Sequence, residues 1–193
     1  MNFFKNILLA FILALSLTLR LWHLTQVPVS LHGDEVGVGY NAFTLSKSGI
    51  DENGYRMPFV FRSDVTPLIF YATVPFIIIF GPTDMAIRIP SVFIGVLAVL
   101  AYYFLSRELI VLINNRLKHQ FSIQKIQLIN FLLIAISPWH IQLSRIAHDA
   151  GYGLLLQILA LFFLLYSLRV HKRLYVLISC ILFGVSFYAY HAP

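Results

Sequence analysis

Long apolar stretches separated by short polar loops dominate the pattern along the chain. Blocks without acidic or basic (Lys, Arg) side chains run over residues 8–19, 89–106, 126–143, 150–168 and 174–190. A helix needs about 18–20 apolar residues to cross about 30 Å of hydrocarbon. The pattern therefore predicts an all-α integral membrane protein with about five transmembrane helices. The predicted spans are residues 4–24, 88–108, 122–139, 150–169 and 173–191.

The charges of the loops orient these spans. Residues 107–125 hold four Lys or Arg residues against the single acid Glu108, and residues 169–173 hold three with no acid. The positive-inside rule places both loops in the cytoplasm. Residues 27–87 and 140–149 then form a first and a second external loop. We interpret the first apolar run as an uncleaved span rather than a signal peptide, because no small-x-small cleavage site follows it.

The first external loop is expected to contain juxtamembrane helices. Val36, Tyr40 and Phe43 are spaced as one face of a short amphipathic helix that stops near Gly49. Such a helix would lie flat on the membrane. The apolar segment 67–80 would be about 21 Å long as a helix, which is short of the hydrocarbon thickness. We therefore assign it to an interfacial or re-entrant helix.

Most acids of the chain fall in these external loops, often just before a helix. By spacing alone, Asp34 is best explained as the N-cap of the amphipathic helix. Asp84 and Asp149 precede apolar spans and are interpreted as caps in the same way. Asp51 and Glu52 stand in a polar turn and are expected to be solvated.

Composition agrees with a membrane protein and narrows the function. The chain is 59% hydrophobic and 11% charged, whereas soluble domains carry about 25% charged residues. The net charge of +6 comes from short loops between spans, so it indicates membrane topology and not nucleic-acid binding. The single cysteine, Cys180, lies inside an apolar block, which excludes intrachain disulfides and clustered thiolate metal sites.

Six short motifs, in order along the chain, resemble GT-C glycosyltransferases, and most closely the protein O-mannosyltransferase and aminoarabinose transferase group. The motifs are Leu31–Glu35 with Tyr40-Asn41-Ala42, Thr66-Pro67-Leu68 with Tyr71, Phe80-Gly81, Arg88–Ser91 with Gly95, Tyr102 and Arg107-Glu108-Leu109, Ser137–His140, and Ser144-Arg145 with Asp149. The resemblance covers about residues 20–193. It implies an inverting transferase that takes a sugar from a polyprenyl-phosphate carrier and passes it to a lipid, glycan or protein acceptor.

The resemblance also implies roles for individual residues. The general base of the first external loop corresponds to Asp34, with Glu35 as its neighbour. Two adjacent carboxylates beside an apolar surface can raise the pKa of one of them, which suits a base. The leaving phosphate needs cations, for which Arg88 and Arg145 are the candidates and Arg62 a weaker one. Their alternative role is interfacial anchoring by snorkelling.

Tyr40, His148 and Asp149 are further candidates for substrate binding. Asp149 matches an acidic motif that helps to hold a divalent metal in the oligosaccharyltransferase branch. The mannosyltransferase-like branch works without a catalytic metal, so no metal or other cofactor is expected here. A divalent cation held by Asp34, Asp149 and His148 is the alternative. The external histidines, including His32 and His140, can also be ordinary interfacial polar residues.

Full-length members of this group have about a dozen spans, so we expect the chain to be an N-terminal fragment. Residues 1–193 would form the N-terminal part of a GT-C transmembrane domain. The expected location is a bacterial or archaeal plasma membrane, with several passes and the active site facing outside. Two other functions stay open. One is a non-catalytic membrane subunit or transporter, which is disfavoured by span interiors almost free of charge. The other is an inactive truncated remnant.

Overall fold

The computed structural model describes residues 2–57, 67–117 and 122–190, which fold into α-helices joined by turns. The helices are α1 (Asn2–Leu21), α2 (Gly33–Ser48), α3 (Pro67–Phe80), α4 (Asp84–Leu117), α5 (Ile123–Ile136), α6 (Pro138–Leu143), α7 (Ala150–Val170) and α8 (Arg173–Ala189). The all-α class is confirmed for these described residues. Gly49 ends α2 in the left-handed conformation at φ 68°, as the sequence predicts.

Three helices are long and apolar enough to cross a membrane, and they indicate a membrane protein by length and composition. These segments are Phe4–Leu21 in α1, Asp84–Arg116 in α4 and Ala150–Val170 in α7. The predicted spans 122–139 and 173–191 correspond to the shorter apolar helices α5 and α8, of 14 and 17 residues. These two helices are about 21 and 26 Å long. The count of five spans therefore stays a prediction.

Helix α4 is longer than the span predicted at residues 88–108. Its 34 residues run to Leu117, so the first part of the predicted basic loop is helical. The buried side chain of Glu108 accepts hydrogen bonds from Nε and Nη2 of Arg169 at 2.8 and 2.9 Å. This pairing with α7 lets the helix continue past a charged residue that sequence reasoning placed at its end.

Side-chain contacts determine the directions of the helices. Arg20 at the end of α1 donates to the carbonyl of Ala135 at the end of α5, at 3.1 Å. Gly153 at the start of α7 lies against Tyr190, which follows α8. Arg88 near the start of α4 and Arg145 just before α7 donate to the carbonyls of Leu24 and Arg20, at 2.9 and 3.3 Å. Helices α1, α5 and α8 therefore end where α4 and α7 begin. We call this the Glu35 end, after the buried acid it contains, and the opposite end the Glu108 end.

Helices α2 and α3 pack together at the Glu35 end. The buried face of α2 contacts α3, and their shared core consists of Val38, Ala42, Leu45, Ile69, Phe70 and Ile77. The apolar face predicted from the sequence is a different one: Val36, Tyr40 and Phe43 are exposed. These three residues therefore lie outside the protein core, and the position of α2 on a membrane surface stays a prediction.

Two of the predicted helix caps are wrong. His32 is the N-cap of α2, and Asp34 lies within the first turn. Asp84 is the first residue of α4, whereas the hydroxyl of the preceding Thr83 accepts a backbone N–H at 3.2 Å. Asp149 does occupy the N-cap position of α7, but its side chain makes no capping hydrogen bond. These three carboxylates are therefore not needed to cap their helices.

Candidate active site

Glu35 is a buried carboxylate that accepts hydrogen bonds from several segments at the Glu35 end. It accepts hydrogen bonds from Nε and Nη2 of Arg88 at 2.9 and 3.1 Å. It also accepts the backbone N–H groups of His32 and Ala147, both at 3.0 Å. One carboxylate thus connects the start of α2, the start of α4 and the loop between α6 and α7.

These contacts determine the charge of Glu35. Burial alone would raise the pKa of its carboxyl group, but the hydrogen bonds from Arg88, His32 and Ala147 outweigh burial and hold the pKa below its usual value. Glu35 is therefore an anion at neutral pH with both oxygens occupied. A raised pKa, which was expected for one carboxyl group of the pair, is therefore not found at Glu35, and the environment does not suit Glu35 as a proton acceptor.

Arg88 uses all five of its N–H groups inside the protein. Besides the two bonds to Glu35, Nη1 donates to the carbonyls of Leu24 and Pro28 at 2.9 and 3.0 Å, and Nη2 donates to Ser30 at 2.9 Å. The side chain is 0% exposed, so snorkelling to the interface does not describe it. No N–H of Arg88 is left for a phosphate in this arrangement, and its role in substrate binding stays a prediction.

Arg145 lies in the same loop as Ala147, between α6 and α7, and contacts the end of α1. Its Nη1 donates to the carbonyls of Leu19 and Arg20 at 3.0 and 3.3 Å, and Nη2 donates to His23 and Val27 at 3.2 and 2.8 Å. Carbonyls at the end of a helix lack intrahelical partners and carry partial negative charge, so they stabilise a cation. Arg145 is thus a clamp on the end of α1, and four of its donors are unavailable to a substrate.

A third buried cation, Arg20, was missed by sequence reasoning. Its Nη1 donates to the backbone and hydroxyl oxygens of Ser16 at 2.9 and 2.7 Å, and Nη2 lies 2.6 Å from Nδ1 of His140. Burial, and then the charge of Arg20, lower the pKa of His140 to about 4. Neutral His140 therefore accepts at Nδ1, and its prediction as an interfacial residue is wrong. The signal was an arginine inside an apolar span.

Asp34 differs from Glu35 in its exposure and in its contacts. Its side chain is 60% exposed, and Nδ1 of His32 lies 3.4 Å from both its backbone nitrogen and its Oδ2 atom. Because successive helical residues point about 100° apart, Glu35 faces the core while Asp34 faces outward. The four hydrogen bonds of Glu35 hold the backbone of this turn, so Asp34 is an accessible carboxylate on a fixed support.

His148 and Asp149 form a pair just before the first turn of α7. Nδ1 of His148 is 3.1 Å from Oδ1 of Asp149, and it also accepts the backbone N–H of Ala150 at 3.1 Å. The pKa of His148 is raised, first by the hydrogen bond with Asp149, which outweighs burial, and further by the charges of Asp149 and Asp34. The structure thus pairs two of the predicted site residues, His148 and Asp149, and the charge of a third, Asp34, acts on His148. Among the described residues, no group of three His, Cys, Asp or Glu side chains is arranged to hold a metal ion.

The remaining predicted residues have different surroundings. Tyr40 is exposed on α2, 56% of its surface being accessible. Arg62 lies outside the described residues. Asp51 is buried, and its Oδ1 accepts the N–H groups of Asn53 and Tyr55 at 2.9 and 2.7 Å, so its prediction as a solvated residue is wrong. These contacts make Asp51 a structural residue of the turn after α2.

A cavity of about 470 Å³ lies beside the Arg145 clamp. Its walls are mostly apolar and are formed by Val27, Pro28, Trp139, Gln142, Leu143, Arg145 and Ile146. Trp139 is largely exposed, which is usual for an indole at a membrane interface. The cavity therefore connects an apolar surface with the loop that carries Ala147 and His148.

No protein-family model matches this chain, and no curated protein or solved structure matches it either. A function has to be inferred from the geometry of the Glu35 end and from the sequence motifs.

Proposed function

We propose that the chain belongs to a membrane glycosyltransferase that moves a sugar from a polyprenyl-phosphate carrier to an acceptor hydroxyl. The acceptor is a lipid, a glycan or a protein. The observation that carries the proposal is the contrast within one acid pair. Glu35 is locked into the protein by four hydrogen bonds, whereas Asp34 is exposed on the same fixed turn. A general base needs this combination of access and fixed orientation.

The reaction is a single displacement with inversion. The acceptor oxygen attacks the anomeric carbon, its bond to that carbon forms, and the bond between the carbon and the phosphate oxygen breaks. Asp34 takes the proton of the acceptor hydroxyl, and the electron pair of the broken bond leaves with the lipid phosphate. No metal is required for these steps, and no other cofactor takes part.

The cation for the leaving phosphate is proposed to be His148. Arg88 and Arg145, the candidates from the sequence, spend their donors on protein carbonyls and on Glu35. The raised pKa of His148 favours its protonated form, in which Nδ1 donates to Asp149 in place of accepting the N–H of Ala150. A protonated imidazole at His148 and the exposed carboxylate of Asp34 supply the two charges that the displacement needs.

The proposed topology places this surface outside a plasma membrane. Five helices alternate in direction between the Glu35 end and the Glu108 end, which supports five crossings with α5 and α8 as the short ones. The basic residues near the Glu108 end favour the cytoplasm for that side. The exposed Val36, Tyr40 and Phe43 would then rest on the outer surface of the bilayer, with Tyr40 near the incoming substrates.

A non-catalytic membrane subunit is the second candidate function. It is favoured by the commitment of Arg88 and Arg145 to protein partners, since a transferase usually offers an arginine to the phosphate. In that case the Glu35 end would be a docking scaffold, and Asp34 would have no chemical role.

A transfer assay separates the two candidates. Membranes from cells expressing the protein from its natural gene are supplied with radiolabelled polyprenyl-phosphate sugars and a panel of lipid, glycan and protein acceptors, with and without EDTA. Wild-type membranes should transfer label with or without EDTA, and Asp34→Asn should reduce the rate by about 100-fold or more.

Asp84→Asn is the matched control, because Asp84 is also an exposed aspartate in the first turn of a helix. It should keep the wild-type rate. Equal rates for Asp34→Asn and wild type would remove Asp34 from the chemistry. Absence of transfer with every donor and acceptor would favour the non-catalytic subunit.

A further inference from the structure

A second, much smaller cavity lies within the helix bundle at the Glu35 end. It measures about 10 Å³ and is enclosed between α4, α6 and α7. Its lining includes Ser91 of α4, His140 of α6, Ser144 just after α6, and Tyr152 of α7. This volume is about that of one water-sized sphere, so the cavity is large enough for a single water molecule and too small for a larger ligand.

Two hydroxyl groups on the wall of this cavity lack partners. Oγ of Ser91 and the phenolic oxygen of Tyr152 are buried and have no hydrogen-bond partner within the part of the chain that the structure describes. Both line the same small cavity, and neither meets the distance and angle limits of a hydrogen bond with the other. An unpaired hydroxyl in an apolar interior costs about 1–3 kcal/mol, so two at one cavity call for a shared partner.

We propose that one buried water molecule occupies this cavity and bridges the hydroxyls of Ser91 and Tyr152. Ser144 supplies a third contact: its hydroxyl donates to the carbonyl of His140 at 2.7 Å, and its oxygen lone pairs are available to accept from the water. Buried waters make about three hydrogen bonds to polar groups that would otherwise be unpaired, and this cavity provides that number.

The chemistry of the walls favours water over a small anion. No Arg or Lys is among the lining residues; the nearest cation of the described residues is Arg20, whose buried Nε lacks a partner among them and lies 3.3 Å from the position of a Cβ atom on Gly95. His140 is neutral, because its Nδ1 accepts from Arg20. Each hydroxyl can donate or accept, which suits a water molecule that does both. An anion would need a cation in contact with it, because an unpaired charge is costly in the interior.

The position of the water gives it a structural role. Ser91 is one helical turn from Arg88 on α4, and Tyr152 is one turn from Asp149 on α7. The water therefore joins the two helices that carry the Glu35 ion pair and the His148–Asp149 pair. Gly95 keeps the region narrow, since a Cβ atom there would collide with Ser144. This role is independent of any transferase activity.

X-ray radiolytic labelling tests for the water directly. The purified protein in nanodiscs is mixed into H2 18O and exposed to X-rays at once. An internal water that exchanges slowly still contains 16O, so side chains next to it become modified with 16O and not with 18O. Tyr152 should be labelled despite its burial, and Ser91→Ala should lower that labelling at least severalfold. Tyr103 is the control, because it is equally buried but lies about 18 Å along α4 from Ser91. It should stay unlabelled.

The unfolding midpoints of Tyr152→Phe and Ser91→Ala give an independent readout. Loss of a bridged hydroxyl should lower each midpoint by about 2–5 °C, and replacing chloride with gluconate should change nothing. An unlabelled Tyr152 with a raised midpoint in Tyr152→Phe would mean a dry cavity. An unlabelled Tyr152 with lowered midpoints would mean a direct hydrogen bond, and a chloride-dependent midpoint would mean an anion. Each of these three results overturns the proposal.

Discussion

The two ends of the helix bundle each contain a glutamate paired with an arginine through two hydrogen bonds, but the two pairs are built differently. Glu35 and Arg88 are 2% and 0% exposed, and both are saturated by further backbone partners. Glu108 is equally buried, but Arg169 is 36% exposed and rests on the ring of Tyr166 at 4.9 Å. The same ion pair is enclosed at one end and open at the other.

The difference follows from what each pair connects. Arg169 and Glu108 join two long helices, which would pack against each other without them. Arg88 and Glu35 instead hold segments with little regular structure, the connection from α1 to α2 and the loop before α7. Backbone groups of such segments need partners from side chains when they are buried. The Glu35 end is therefore organised around polar contacts. The same contacts fix the turn on which Asp34 is exposed.

The largest effect is expected from breaking the enclosed pair. Glu35→Gln keeps the shape of the side chain but leaves the charge of Arg88 buried without a counter-ion. We expect the free energy of unfolding to fall by about 3–5 kcal/mol, measured by reversible SDS unfolding in mixed micelles. A change under about 1 kcal/mol would show that the Glu35 end is not held together by this contact.

The second largest effect is expected at low pH, which should destabilise the Glu35 end. The pKa of His140 is lowered to about 4, so the unfolded chain binds a proton below about 6.5 while the folded protein does not. The free energy of unfolding contributed by His140 is therefore present above pH 6.5 and falls between about pH 6.5 and 4. His148 has the opposite sign, because its pKa is raised: its contribution is present below pH 6.5 and is lost as pH rises through the folded pKa.

The variant His140→Asn isolates the contribution of His140 to the pH dependence of unfolding. An asparagine oxygen can replace Nδ1 as the acceptor for Arg20 but does not titrate. Its unfolding free energy should depend less on pH between 6.5 and 4 than that of the wild type. Identical pH profiles would mean that His140 is protonated in the folded protein and that its contact with Arg20 is wrong.

The smallest effect is expected at the Glu108 end. Glu108→Gln leaves Arg169 with access to solvent and with its contact to Tyr166, so the free energy of unfolding should fall by about 1 kcal/mol or less. The same SDS titration measures it beside Glu35→Gln. Equal losses in the two variants would remove the distinction between an enclosed and an open pair.

Hydrophobic pattern alone predicted much of the fold. The helices at 33–48 and 67–80, the stop at Gly49 and the long apolar helices follow from local spacing, which the structure keeps. The boundaries of α4 were missed, because Glu108 looks like a helix end until its partner on α7, 61 residues away, is known.

The candidate site was only partly predictable, because its contacts join residues that are far apart along the chain. The family resemblance singled out Asp34 and Glu35, but neither it nor local spacing could tell which of the two faces the core. That choice depends on Arg88 and on the backbone of Ala147, 53 and 112 residues from Glu35. Arg20 carried a local signal, an arginine inside an apolar span, but its partner His140 lies 120 residues away along the chain.

The central claim is that Asp34 is the reactive carboxylate and Glu35 the structural one. The most direct measurement is the transfer rate per folded molecule for Asp34→Asn, taken together with its unfolding free energy. The account predicts a rate lowered by about 100-fold or more with the unfolding free energy within about 0.5 kcal/mol of the wild type. A wild-type transfer rate in Asp34→Asn would contradict it.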